Sequence, residues 1–181
     1  MQPEPFQVDE PEEEELPDLA GLAPVRSLAQ LKAVPTRAPR EKLSPTAALS
    51  KYWGYHEFRP LQAEAVASVL AGRDCLIVLP TGGGKSLCYQ VPAACGAGAV
   101  LVVSPLIALM DDQVASAREA GLSAAALHGN LDESERRRAR ELLAAGALDL
   151  LYVSPERLCV GDLVPVLAGK IALAAVDEAH C

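Results

Sequence analysis

The chain has 181 residues, half of them apolar, and a formal net charge of -8. That length fits one domain with a sizeable core and leaves little room for a second. The charge excludes a uniformly basic nucleic-acid binder, but its distribution matters more than its sum. Residues 1–18 hold 8 of the 24 acidic residues and no Lys or Arg, which leaves 16 acids against 16 bases in the rest. The body is therefore neutral, and a neutral body still binds a phosphate backbone where its basic groups cluster.

The five cysteines (Cys75, Cys88, Cys95, Cys159 and Cys181) are odd in number and form no C-x-x-C. Neither a disulfide framework nor a zinc site is supported. Three fall in apolar strand or helix patterns and read as small core residues. A reducing cytoplasm fits that usage. The acidic, proline-rich N-terminus is wrong for a signal or transit peptide. Ala93 to Met110 carries no charge and is long enough to raise the question of a membrane span. Its two glycines and its Ser104-Pro105 step fit a buried strand running into a loop and helix, so no membrane partner is expected.

In chain order, residues 1–44 read as a disordered tail, rich in Pro, Glu and Ala, with short apolar pieces cut by Pro17, Pro24 and Pro35. A solvated tail is the preferred reading, and a site for a protein partner the alternative. From Ser44 the chain becomes periodic, so residues 45–181 form the folded lobe. Ser44-Pro45 is a helix start, with Ser as cap and Pro in the first helical position. That helix runs to about Trp53, and Gly54 ends it. Arg59 to Ala71 is a second helix with Leu61, Ala65, Val66, Val69 and Leu70 on one face.

Apolar runs then alternate with helical patterns. The candidate strands are Cys75–Leu79, Ala99–Val103, Ala124–Leu127, Leu148–Val153 and Ile171–Val176. Helices are expected over Lys85–Ala94, Leu106–Ala120, Asp132–Ala145 and Pro155–Leu167. Nearly uncharged strands separated by amphipathic helices predict an α/β fold, with a mostly parallel sheet covered on both faces.

Two strings carry chemistry. Thr81-Gly82-Gly83-Gly84-Lys85-Ser86 stands between an apolar run and a helix. Glycines let a backbone wrap close to phosphates with its N–H groups inward. Lys85 would reach the β- and γ-phosphates of a nucleotide, and the Ser86 hydroxyl would take a magnesium position. The generic pattern begins with Gly, where this chain has Leu79. The second string, Asp177-Glu178, ends a buried apolar run, at the place where parallel sheets bind ligands. Asp177 would hold magnesium and Glu178 would polarise the attacking water. An acidic pair alone is commonly a solvated turn; beside a phosphate loop it belongs to one chemistry, that of ATP and Mg2+.

A third element, Trp53-Gly-Tyr-His-Glu-Phe-Arg-Pro-Leu-Gln62, precedes the phosphate loop. Trp53 and Phe58 read as core. The basic run Arg136-Arg137-Arg138-Ala-Arg140 is flanked by Glu133, Glu135 and Glu141, and reads as a solvated helix face with i,i+4 pairs rather than a DNA contact.

The strings W-G-Y-x-x-F-R-P-x-Q, L-P-T-G-G-G-K-S-L-C-Y-Q, V-V-S-P-L-I-A-L-M-x-D-Q, Y-V-S-P-E-R-L and A-V-D-E-A-H-C, in unbroken order from about Ala47 to Cys181, resemble the RecQ family of superfamily 2 DNA helicases. The resemblance implies the first RecA-like lobe of an ATP-driven 3′-to-5′ DNA-unwinding enzyme serving repair and recombination. It implies that Tyr55, Arg59 and Gln62 recognise adenine, a Gln amide pairing with the base while Tyr and Arg stack on it. It implies that Asp177, Glu178, Ala179 and His180 form a DEAH box, with His180 relaying between nucleotide and DNA.

Two further segments match motifs that contact single-stranded DNA: Ser104-Pro105-Leu106 through Asp112-Gln113, and Ser154-Pro155-Glu156-Arg157. Each Ser-Pro precedes a helix whose N–H groups can receive a backbone phosphate. Ser154-Pro155-Glu156 also reads as an ordinary helix start, and both readings can hold together.

The family continues past its DEAH box with an aromatic-rich loop, a further strand and a second lobe that brings an arginine to the transferring phosphate. If Cys181 closes the chain, the lobe is truncated after the DEAH strand and the 181 residues are a fragment of an enzyme, inactive alone in unwinding. In the family's sheet the further strand inserts between the phosphate-loop strand and the DEAH strand, a slot that would then stand empty. A cytoplasmic or, in a bacterium, nucleoid-associated location follows from the resemblance. The rivals are a non-catalytic nucleotide- or DNA-binding module regulating a partner, and an interaction protein working through its acidic tail. Intact Lys85, Asp177 and Glu178 argue against a decayed module.

Overall fold

Eleven elements alternate along the chain of this computed structural model, which describes residues 41–80, 82–159 and 163–179. The described residues all belong to one compact unit, Ala33–Cys181. The expected tail therefore falls almost wholly outside the described residues, as do Thr81, His180 and Cys181. Helices α1 (Pro45–Trp53), α2 (Gln62–Leu70) and α3 (Leu87–Ala94) come first. They are followed by β1 (Ala99–Val103), α4 (Ile107–Glu119), β2 (Ala124–Leu127), α5 (Glu133–Ala144) and β3 (Leu150–Val153). The short α6 (Pro155–Cys159) and α7 (Leu163–Leu167) and the strand β4 (Ile171–Val176) complete the series.

The helix limits follow local chemistry. Ser44 caps α1, its hydroxyl accepting the Ala47 N–H at 3.3 Å, and Gly54 closes the helix in the left-handed region. Asp132 and Glu135 form a reciprocal capping box at the start of α5. Both α6 and α7 fall within the helix expected over Pro155–Leu167, and residues 160–162 between them lie outside the described residues.

The strands form one parallel sheet in the order β2-β3-β1-β4. Alternate residues feed two separate cores, as the period of two requires. Val100, Val102, Leu150, Tyr152, Ala124 and Ala126 face one core with α1, α3 and α4, where Leu49, Val91, Met110 and Val114 pack. Leu101, Leu151, Val153, Ala125 and Leu127 face the other, against Leu143 of α5 and Leu163 and Leu167 of α7. The chain reverses direction across the sheet between α4 and α5 and changes face as it does so, as same-handed crossovers require. Tyr152 is fully buried, and its hydroxyl accepts from Gln90 Nε2 at 3.1 Å; left unpaired there it would cost about 1–3 kcal/mol.

Between β1 and β4 the register slips at Ala172. Gly98 stands opposite with φ +115°, and a Cβ there would come within 2.8 Å of the Ala172 Cβ. Glycine is the residue that lets the two backbones approach at this bulge.

One expected strand does not form. Cys75–Leu79 has no strand partner among the described residues, and Leu76 and Val78 are 88% and 79% exposed. Its continuous apolar run is that of a buried strand, but a lone segment has no ladder to join. Cys75, expected in the core, is exposed for the same reason; Cys159, on α6, is also exposed, whereas Cys88 and Cys95 are buried. On β4 alternate residues are also uncovered, Val176 at 67%, and among the described residues β4 has a strand neighbour on its β1 side alone.

The carboxyl ends of the strands make a common rim. The Ser154 N–H bonds to Leu127 O at 3.2 Å, Ser104 N–H to Val153 O at 3.1 Å, and Asp177 N–H to Val103 O at 2.8 Å. Each residue that follows a strand is thereby tied to the last residue of its neighbour.

Candidate nucleotide site and nucleic-acid rim

The phosphate loop is built by backbone conformation. Gly82 and Gly84 have φ +76° and +78°, and Gly83 N–H closes a turn on Pro80 O at 2.9 Å. An added Cβ at Gly84 would run into the Gln62 amide nitrogen, and one at Gly83 would lie 2.8 Å from Pro80 O. Helix α3 opens directly after Lys85 and Ser86, so the loop sits at the positive end of a helix dipole.

Gln62 and Arg59 hold this loop from the side. The Gln62 amide is 1% exposed and is engaged at both ends. Its Oε1 accepts the Arg59 N–H at 2.9 Å, and its Nε2 donates to Gly84 O at 3.0 Å and Gly83 O at 3.3 Å. The Arg59 guanidinium donates to Gly82 O at 2.7 Å. Leu61 enters α2 with φ +69°, a costly conformation for a γ-branched residue, and this kink aims Gln62 at the loop. Tyr55, Arg59, Gln62, Gly82 and Gly84 line one cleft of about 290 Å³, together with Trp53, Glu57, Leu87, Gln90 and Ser116. The residues expected to read adenine and the loop expected to hold phosphate therefore share a cleft. Gln62 meets the loop carbonyls there rather than facing open space.

On the far side of the loop stands the acidic pair. Lys85 Nζ lies 3.6 Å from Glu178 Oε1, and both side chains are mostly covered. Glu178 has φ +51°, in the left-handed region, so the backbone is strained at the residue expected to polarise water. Asp177 is buried at the end of β4. Its Oδ1 accepts the Glu178 N–H at 3.0 Å, and its Oδ2 lies 3.2 Å from the Tyr89 hydroxyl and 3.3 Å from Gln113 Nε2. Tyr89, on the helix that opens after Ser86, thus meets the carboxylate expected to share a metal with Ser86. Among the described residues no cluster of three or more His, Cys, Asp or Glu could hold an ion by itself. One carboxylate and one hydroxyl beside a phosphate loop is the donor set that magnesium takes when a nucleotide supplies further oxygens.

The rim segments differ from each other. Ser104 is buried and its Oγ has no partner, and α4 starts at Ile107 without a side-chain cap, leaving its first N–H groups open beside Pro105 and exposed Leu106. Ser154 uses its Oγ to accept the Arg157 N–H at 3.3 Å, so it caps α6 ahead of Pro155 and Glu156. Gln113 is not at the rim surface: its amide points inward to Asp177 and Tyr89. The arginines of α5 pair with their own helix, Arg136 with Glu133 and Arg137 with Glu141, each at 3.9 Å. Sequence reasoning passed over Tyr89 and Gln90, which stand in the L-C-Y-Q string after the loop and read there as helix core.

A parallel sheet carrying a glycine loop at a helix start and an acidic pair at a strand end defines a RecA-like nucleotide-binding lobe. The DEAD/DEAH box helicase family model matches residues 59–181. The chain belongs to that family, and within it to the RecQ type. It is 50% identical over 137 residues to the ATP-dependent DNA helicase RecQ of Synechocystis, a match covering 74% of this chain and 29% of that protein. Against the RecQ of Bacillus subtilis the identity is 43% over 135 residues, covering 74% and 23%. The chain thus spans less than a third of the length of these relatives. Among solved structures, the DUF1998 helicase MrfA bound to DNA and AMPPNP superposes with a TM-score of 0.60 at 26% identity, covering 80% of this chain and 22% of that one. A hypothetical ATP-dependent RNA helicase from Sulfolobus tokodaii shares the fold at TM-score 0.60 and 22% identity, covering 74% and 40%. No helix among the described residues is long and apolar enough to cross a membrane.

Proposed function

We propose that this lobe binds ATP with magnesium and forms half of the engine of a 3′-to-5′ DNA helicase, whose other half lies on a second lobe. The observation that carries the reading is the meeting of Lys85 with Glu178, 3.6 Å apart, at one end of the sheet. Distant parts of the chain converge there on the groups that phosphoryl transfer needs.

In this reading Gly82, Gly83, Gly84 and the first N–H groups of α3 cradle the phosphates. Lys85 draws the terminal phosphate, and Ser86 and Asp177 would hold magnesium, which would supply positive charge against the phosphate oxygens. Released from Lys85, Glu178 orients the attacking water and receives its proton. Tyr55 and Arg59 flank the base, and Gln62 ties base recognition to the loop carbonyls. The open amino end of α4 and Ser104-Pro105-Leu106 receive the backbone of one DNA strand, and Ser154-Pro155-Glu156 extends that track without reading sequence. The DNA-bound MrfA neighbour and the RecQ relatives support DNA as the partner.

The test is the ATPase rate of this 181-residue chain with and without single-stranded DNA, beside a version extended through a second lobe. DNA-stimulated turnover in the extended form alone supports the reading. No turnover and no nucleotide binding in either form overturns it.

A further inference from the structure

The Tyr89 hydroxyl has one proton and two acceptors within reach. Gln113 Oε1 lies at 2.5 Å and Asp177 Oδ2 at 3.2 Å. The shorter contact takes the proton. A tyrosine phenol carries its proton at neutral pH, so the hydroxyl is a donor. Its bond to Oε1 fixes the Gln113 amide in one orientation, with Nε2 turned to the Asp177 carboxylate at 3.3 Å. The flipped amide would set an oxygen against a carboxylate and an N–H₂ against a phenol that must donate elsewhere. The Glu178 N–H on Oδ1 fixes the other carboxylate oxygen.

We propose that Tyr89 and Gln113 are positioning residues for Asp177: Tyr89 orients the Gln113 amide, and that amide aims the carboxylate at the metal position beside Ser86. The inference rests on the nucleotide reading above and assigns Gln113 to the ATP side of the lobe rather than to the DNA track. The placement gives the pair a second property. Tyr89 lies on the helix that leaves the phosphate loop, and Gln113 on the helix that leaves Ser104-Pro105-Leu106. The Asp177 carboxylate is thereby held jointly by the two helices whose amino ends face nucleotide and DNA.

A merely structural network would lower stability and disturb nucleotide binding with or without metal. A positioning role acts on the metal-dependent part alone. Groups that orient a metal ligand are worth ~10–100-fold in affinity. The experiment uses the 181-residue chain and a fluorescent ATP analogue, titrated once in EDTA and once against Mg2+, with thermal unfolding followed in parallel. Gln113→Leu keeps the volume and removes the amide; Tyr89→Phe keeps the ring packed edge-on to Tyr152 at 6.4 Å and removes the hydroxyl. Both variants should raise the half-saturating Mg2+ concentration at least ~10-fold while leaving the EDTA affinity within about twofold. Because Tyr89 acts through Gln113, the double variant should be no worse than Gln113→Leu. Unchanged Mg2+ dependence in a folded Gln113→Leu, or equal losses in EDTA and Mg2+, overturns the inference while wild-type binding keeps the nucleotide reading. If the wild-type chain binds no analogue, or Lys85→Ala binds it as well as wild type, the nucleotide reading itself fails and the inference with it.

Discussion

Lys85 and Glu178 face each other 3.6 Å apart across the mouth of the phosphate loop. In the proposed reading each occupies the charge the other would use, so a triphosphate would have to part them, the phosphate taking the ammonium and the carboxylate turning to water. Glu178→Gln removes the charge from this contact and, in the proposed reading, the base from the reaction. We expect nucleotide affinity to be kept or improved and hydrolysis to fall ~10²–10⁴-fold. Lys85→Ala should lose both. Equilibrium binding and single-turnover hydrolysis, measured in a form that contains the second lobe, separate the two variants.

The glycines of the loop are unequal. A Cβ on Gly82 meets nothing within 4 Å, whereas on Gly84 it strikes the Gln62 amide; both residues have positive φ. Gly82→Ala therefore carries backbone strain alone, about 1–3 kcal/mol, part of which the loop can relax. Gly84→Ala adds a collision with a side chain that is itself buried and bonded at both ends. Nucleotide affinity should fall at least ~10-fold more for Gly84→Ala than for Gly82→Ala, the equivalent of about 1.4 kcal/mol. Equal losses would mean that Gln62 yields freely.

Thiol chemistry reports the same packing. Burial, with a smaller effect from Cys75, pushes the Cys88 thiol up to about 11, and burial raises Cys95 as well. At pH 8 Cys88 is ~0.1% thiolate. Peptide-level mass spectrometry after a short pulse of iodoacetamide should find Cys75 and Cys159 alkylated, and Cys88 and Cys95 protected at least ~100-fold. Rapid labelling of Cys88 would mean that α3 opens.

The start of α5 depends on pH. The Glu135 N–H and then the Ser134 hydroxyl hold Asp132 below its ordinary value of 3.8. A depressed carboxylate stabilises the fold above its unfolded pKa and loses that contribution as pH falls through the folded value. The cap is thus intact at neutral pH and fades below about pH 4. Asp132→Ala should lower Tm at pH 7 and narrow the gap to wild type toward pH 3, as read by circular dichroism. A gap that stays constant with pH would show that the charge is immaterial.

Much of this architecture is legible in the sequence because it is local. Uncharged runs at Ala99, Ala124 and Ile171 become strands at the expected bounds, since an apolar run between helical patterns shows its limits where it stops. Ser44 and Asp132 announce helices by capping chemistry that acts within three residues. Cys75–Leu79 fails for the opposite reason: its pattern is that of a strand, but strand formation needs a neighbour that no pattern in the segment supplies. At the site, the loop and the acidic pair are readable as strings. Gln113 is not, because a helix surface written in one dimension does not say which residue turns to Asp177. Nor does the string tell that Gln62 supports the loop, which depends on the left-handed Leu61 before it.

Three backbone bonds run in series along the rim, from Leu127 to Ser154, from Val153 to Ser104 and from Val103 to Asp177. They act as a ruler. Inserting one residue anywhere in β1 would slide Ser104 by about 3.3 Å, invert its side chain to the other face, and carry the anchor of Asp177 with it. Length variation among related chains must therefore gather at the opposite, amino-terminal side of the sheet, in the turns around Gly98, Ser123 and Gly146. A single-residue deletion scan would show it as two edges, one rigid and one forgiving.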